Sequence, residues 1–165
     1  MRVYLPSTLT ELRKLLDTGT VGAPPLPGYA VTPELREWYA EGDLEELEYL
    51  ALTSAARACV RLLDADQDAI RRRVVVVAEV PDEAVHRVPE VDRAAVKVTS
   101  EVPLRLVQAV HVDDPVAVAD VTVAADAVIE ADLGSEDAVF RLEQAEGHEL
   151  QWYATQEIGP LLELG

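Results

Sequence analysis

The sequence has a single cysteine, Cys59, in 165 residues. No intramolecular disulfide can form, which fits a reducing compartment, and no cysteine–histidine zinc site of the usual kind can be assembled. Aromatic residues are scarce at 5%, against 49% hydrophobic residues overall, so the core reads as aliphatic. Positive charge is short too: 14 Lys and Arg stand against 31 Asp and Glu, a formal net charge of −17. A surface of that sign repels phosphate backbones and anionic bilayers, so neither nucleic acid nor membrane is an expected partner. The most apolar stretch, Val116 to Ile129, is broken by Asp120 and Asp126. It falls short of the ~20 apolar residues a membrane span needs. The opening Met1 to Pro6 has no apolar signal-peptide core. A cytoplasmic location is therefore expected by exclusion.

Nucleotide and nucleophile motifs are missing as well. The eight glycines are isolated, with no G-x-G-x-x-G and no G-x-x-x-x-G-K. No G-x-S-x-G surrounds Ser7, Ser54, Ser100 or Ser135. No two histidines share H-x-x-x-H spacing. No cofactor and no metal is expected. There is no asparagine, and Lys14 and Lys97 are the only lysines, a bias that GC-rich codons produce.

What is present is a globular pattern. A chain of this length buries about 70% of the surface its unfolded form exposes, enough for one domain over residues 1–165. Val3 to Leu5 reads as a strand. Thr8 with Glu11 forms a capping box for a helix carrying Leu9, Leu12, Leu15 and Leu16, which Gly19 stops. After the proline-rich loop 21–28, Tyr29 to Val31 reads as a short strand. Thr32 and Pro33 open a helix to about Ala40. Asp43 and Glu46 open a long one to about Leu63, its apolar face drawn through Leu44, Leu47, Leu50, Ala51, Ala55, Ala58 and Leu62.

The period then changes. Val74 to Val80 is apolar at both parities, as in a strand covered on both faces. Ala94 to Val102 and Leu104 to Val112 alternate, and the three segments read as a meander. Residues 117–128 fit neither period well and are assigned to helix. A further helix opens at Ser135, Leu150 to Tyr153 is a last strand, and a short helix follows. The fold class expected is α+β: a mixed, largely antiparallel sheet with helices mainly on one face, in a two-layer sandwich.

Three groups of residues carry potential chemistry. His111 and Asp113 share a strand face, and Asp114 follows. A carboxylate beside an imidazole can orient it as a base or hold a metal, whereas Asp114 before Pro115 also fits a helix start. Arg71, Arg72 and Arg73 form the only basic run, read as a solvated flank or as salt bridges to the acidic surface and, more sharply, as a site for an anion or an acidic partner. Trp38–Tyr39 and Trp152–Tyr153 hold both tryptophans. Core packing is the first expectation for them, with one of Trp152 and Tyr153 facing outward, and an outward aromatic can anchor a partner. Cys59 reads as a small buried hydrophobe.

Four segments carry a resemblance. They are Arg2-Val3-Tyr4-Leu5-Pro6, Glu34-Leu35-Arg36-Glu37-Trp38-Tyr39, His111-Val112-Asp113-Asp114 and Trp152 through Ile158. They resemble a family of small actinobacterial proteins of unknown function along nearly the whole chain. The resemblance implies no activity and assigns no site residue. The function expected is a protein-interaction or regulatory module without catalysis, meeting a protein partner or self-associating. The alternative is a small hydrolase or metal-dependent enzyme using His111, Asp113 and Asp114.

Overall fold

The structure is a computed structural model that describes residues 1–164. Its centre is the pair β1 (Arg2–Ser7) and β3 (Val74–Glu79), joined antiparallel from Arg2 opposite Glu79 to Ser7 opposite Val74. Around this pair lie β2 (Leu26–Tyr29), β4 (Val85–Arg87), β5 (Ala95–Val98), β6 (Val107–Val112) and β7 (Gln151–Ala154). The sheet has seven strands in the order β4-β5-β2-β1-β3-β6-β7, and every neighbouring pair is antiparallel. With six helices this is an α+β fold.

Alternation explains how the sheet serves two layers. Val3, Leu5, Val74, Val76 and Ala78 face one side, where α1 (Leu9–Thr18) and α6 (Ile158–Leu164) pack with Leu12, Leu15, Ile158 and Leu161. Tyr4, Val75, Val77 and Ala109 face the other, against Leu47, Ala51, Ala55 and Cys59 of α3 (Leu44–Ala65). The i, i+4, i+8, i+12 stripe of mostly small residues lets α3 lie close to the strands. Leu35 of α2 (Pro33–Trp38) joins the same side. The hairpin α4 (Val118–Asp132) and α5 (Glu136–Glu146) packs on α3 through Val60, Leu63, Val121, Ala124 and Val128. Four of the six helices are thus gathered on the α3 side.

Local signals fix most element ends. The Thr8 side chain accepts the Glu11 N–H, and Gly19 adopts φ 80° while its N–H closes α1 on the Leu15 carbonyl. Thr32, Asp43 and Ser135 cap α2, α3 and α5 in the same way. The segment 117–128 is indeed helical, because Val121, Ala124, Ala125 and Val128 recur on one buried face.

Three expectations change. Residues 74–112 are no meander: β3 lies between β1 and β6, while β5 lies beyond β2 with β4 at the edge. Alternation marks a strand but is blind to which strand it pairs with. β2 forms at Leu26–Tyr29, inside the proline-rich loop, where Pro27 pairs with Lys97. The buried face of α3 is also rotated from that drawn: Leu44 and Leu62 are exposed. That helix touches the sheet along one stripe and α4 along another, so no single stripe describes it.

Candidate functional site

The polar residues at the end of β6 are taken up in building the fold. Asp113 is fully buried. Its Oδ2 accepts from the Arg73 backbone N–H and Nε, and its Oδ1 accepts from Arg73 Nη2, each at 2.8 Å. Arg73, 2% exposed, also donates to the His148 carbonyl at 2.8 Å. A buried pair of this kind is tolerable only when bidentate geometry and further hydrogen bonds offset desolvation, and both are present. Arg72 donates its Nε to the Asp113 carbonyl at 2.9 Å. Arg71 donates to the carbonyls of Leu63 and Asp66 at the end of α3. The basic run is therefore neither a solvated flank nor an open anion site, because each guanidinium closes an internal backbone or carboxylate acceptor; the expected salt bridge forms at Arg73, with buried Asp113 rather than a surface carboxylate.

His111, Asp113 and Asp114 are adjacent in sequence but part ways in space. Asp114 Oδ1 accepts the Val116 N–H at 2.9 Å, and its Oδ2 accepts from Gln151 Nε2 at 3.2 Å. His111 stands on β6 opposite Trp152 and Val75 and lines a cleft of about 170 Å³ with Tyr49, Arg73, Glu146 and His148. Burial lowers its pKa, which keeps the ring neutral near pH 7. No hydrogen bond joins it to either aspartate among the described residues. His148 instead meets Asp120, at 2.7 Å. Among the described residues no group of three or more His, Cys, Asp or Glu side chains is placed to hold a metal ion. Cys59 is buried, its thiol held 3.0 Å from the Val74 carbonyl and its pKa pushed up to about 11 by desolvation. A thiol in that state is a poor nucleophile.

The aromatic residues behave in the opposite way. Trp38, Tyr49 and Trp152 are 55%, 54% and 60% exposed, so the expectation of core packing fails for Trp38, while Trp152 and Tyr153 divide between outside and core as alternation requires. The reasons are local. The six-residue α2 has only Leu35 buried, and Trp38 ends it on the solvent side. Tyr49 lies between Leu47 and Ala51 on α3, off the buried stripe. On β7, Tyr153 packs toward the α1 side and alternation sends Trp152 outward. Tyr39 donates its hydroxyl to Glu46 at 3.0 Å, and that bond to a carboxylate raises its pKa. Gly42 makes room for the Tyr39 ring, since a Cβ there would run into it.

These rings line three adjoining depressions around the N-terminal half of α3. A groove of about 980 Å³ lies between α2, α3 and the loop before β5, with Trp38, Leu50, Thr53 and Arg93 on its walls. A pocket of about 370 Å³ is walled by Trp38, Tyr39, Glu45, Glu46, Tyr49 and Leu50. The third is the His111 cleft, which shares Tyr49 with the pocket and Thr53 with the groove. Carboxylates stud the surface, and its cations are engaged. Arg57 meets Glu146 at 2.7 Å, and the Arg93 guanidinium sits 4.8 Å from the centre of the Trp38 ring. Sequence reasoning passed over Tyr49, although its offset from the Leu47–Ala51–Ala55 stripe was readable.

No helix of the described residues is long and apolar enough to cross a membrane. No curated protein and no solved structure matches the chain. The model of the DUF6912 family, a family of unknown function, matches residues 1–162, and the chain belongs to that family.

Proposed function

We propose that this domain is a protein-interaction module without catalysis, and that it docks a positively charged segment of a partner protein on the face made by α2, α3 and β7. The observation that carries the reading is the exposure of Trp38, Tyr49 and Trp152 on one continuous, carboxylate-studded surface. Large aromatics in solvent-facing depressions are the residue types that dominate binding energy at interfaces, and a monomer rarely leaves them uncovered without use. The charge selects the occupant. At a net charge of −17 the chain steers cations toward itself and repels a second copy.

Side chains rather than strand addition carry the docking. β7 is a sheet edge, but it is only four residues long, and its Ala154 N–H is already taken by Glu157 Oε1 at 2.8 Å. Little ladder is left for an added strand. The catalytic reading of His111, Asp113 and Asp114 has less behind it, since both aspartates have structural partners and no group among the described residues orients His111.

Titration with a lysine- and arginine-rich peptide at about 150 mM salt tests the reading, because screening there suppresses attraction beyond roughly 8 Å. Saturable binding is expected, weakened more than about tenfold in a Trp38→Ala/Tyr49→Ala/Trp152→Ala variant that keeps its circular dichroism. Equal binding by the folded triple variant would defeat the proposal. So would a wild-type dimer, seen by light scattering, that binds no peptide.

A further inference from the structure

We infer that the pocket of Trp38, Tyr39 and Tyr49 is a cage for the cationic end of an arginine or lysine side chain, with Glu45 and Glu46 as its counter-charges. The inference rests on the binding reading above and names the anchor within it. Three aromatic rings and two carboxylates wall this space, and no basic residue does. Ring faces carry negative electrostatic potential, so a cation between them is attracted without forming a directed bond. The same Trp38 ring already takes a guanidinium, that of Arg93, at 4.8 Å. Arg93 lines the neighbouring groove and leaves the pocket unfilled.

The carboxylates are available. Glu45 makes no hydrogen bond or ion pair among the described residues, and Glu46 uses only Oε2, to accept from Tyr39. Both lie in the first turn of α3, at the positive end of the helix dipole. That dipole contributes roughly half a positive charge, which two carboxylates outweigh. Leu50 supplies an apolar wall for the aliphatic stem of the incoming side chain. Leu50 and the rings accept the hydrocarbon arm, and the exposed carboxylates of Glu45 and Glu46 favour a cation at its end.

The experiment uses the full chain with Trp152→Phe, which leaves Trp38 as the sole tryptophan. Its emission is followed while Arg-Gly-Gly, Lys-Gly-Gly and Gln-Gly-Gly repeat peptides are added at about 150 mM salt. The arginine and lysine peptides are expected to shift Trp38 emission saturably and the glutamine peptide to leave it unchanged. Tyr49→Ala should weaken binding about tenfold, as losing a partly desolvated cation–π contact does, and Glu45→Gln/Glu46→Gln should weaken it about fivefold through the two lost ion pairs. Tyr49→Phe, which keeps the ring, should bind as the parent. Glu136→Gln/Glu143→Gln on α5 makes the same change in net charge away from the pocket and should alter binding less than about twofold. If the Glu45/Glu46 pair costs no more than this control while the basic peptides still bind, the cage is overturned and the interaction face survives. If no basic peptide binds the wild-type chain, both fail together. Tighter binding of the arginine peptide would assign a guanidinium, and of the lysine peptide an ammonium.

Discussion

The end of β6 and the outer face of α3 use the same kinds of residue to opposite ends. At β6, Asp113 and Arg73 are both buried and satisfy one another, with His148 and Arg72 completing the set. Around α3, Trp38, Tyr49 and Trp152 are uncovered, and Glu45 has no partner among the described residues. A polar group with all its hydrogen bonds made inside the fold has nothing left to offer a ligand. A large ring left more than half exposed has less to offer stability. The difference separates what holds this protein together from what it presents to others, and each half of the comparison can be broken separately.

The largest effect is expected at Asp113. Replacing it by alanine strands the Arg73 charge in the interior, which costs about 3–5 kcal/mol, visible as a large fall in the urea midpoint. The protein that remains folded should bind basic peptides with unchanged affinity. The aromatic substitutions should do the reverse. Trp38→Ala, Tyr49→Ala and Trp152→Ala, each at a site more than half exposed, should each shift stability by no more than about 1 kcal/mol while peptide affinity falls about tenfold.

A smaller effect sharpens the boundary between the two regions, where His111 lines the cleft beside Trp152. Burial holds its folded pKa below the unfolded value, so the unfolded chain binds the extra proton first. Above the ordinary histidine value of about 6.5 this has no consequence. As pH falls from there toward the lowered folded value, wild-type stability should drop. The urea midpoint of His111→Gln should lack that component, whereas Arg73, Glu146, Glu149 and His148 in the same cleft contribute equally to both proteins. The smallest signal is at Cys59. With its pKa near 11 and no exposure, it should ignore a thiol reagent at pH 8 until the protein is unfolded.

The contrast also explains what could be read from sequence. Caps, breakers and runs are local, so Thr8, Asp43, Gly19 and the valines of β3 marked their elements well. Pairing is not local: nothing in residues 26–29 announces that they lie between β1 and β5. The candidate site failed for a related reason. Asp113 shares a strand face with a histidine and so resembles a site residue, but its partner, Arg73, is 40 positions away in a basic run that local pattern places at the surface. Core packing for Trp38 rests on average behaviour, whereas its exposure follows from a six-residue helix; the split between Trp152 and Tyr153 is legible in strand parity. Tyr49 shows the signal that could have worked, since its place off the buried stripe of α3 follows from helical spacing alone.

The most direct measurement is acrylamide quenching of the native protein's fluorescence with and without a saturating basic peptide. The chain's only two tryptophans both lie on the proposed face, so every quenching event reports on it. The account predicts ready quenching in the free protein and strong protection of both tryptophans once the peptide is bound. Quenching that is already weak in the free protein, or that stays unchanged at saturation, would contradict it.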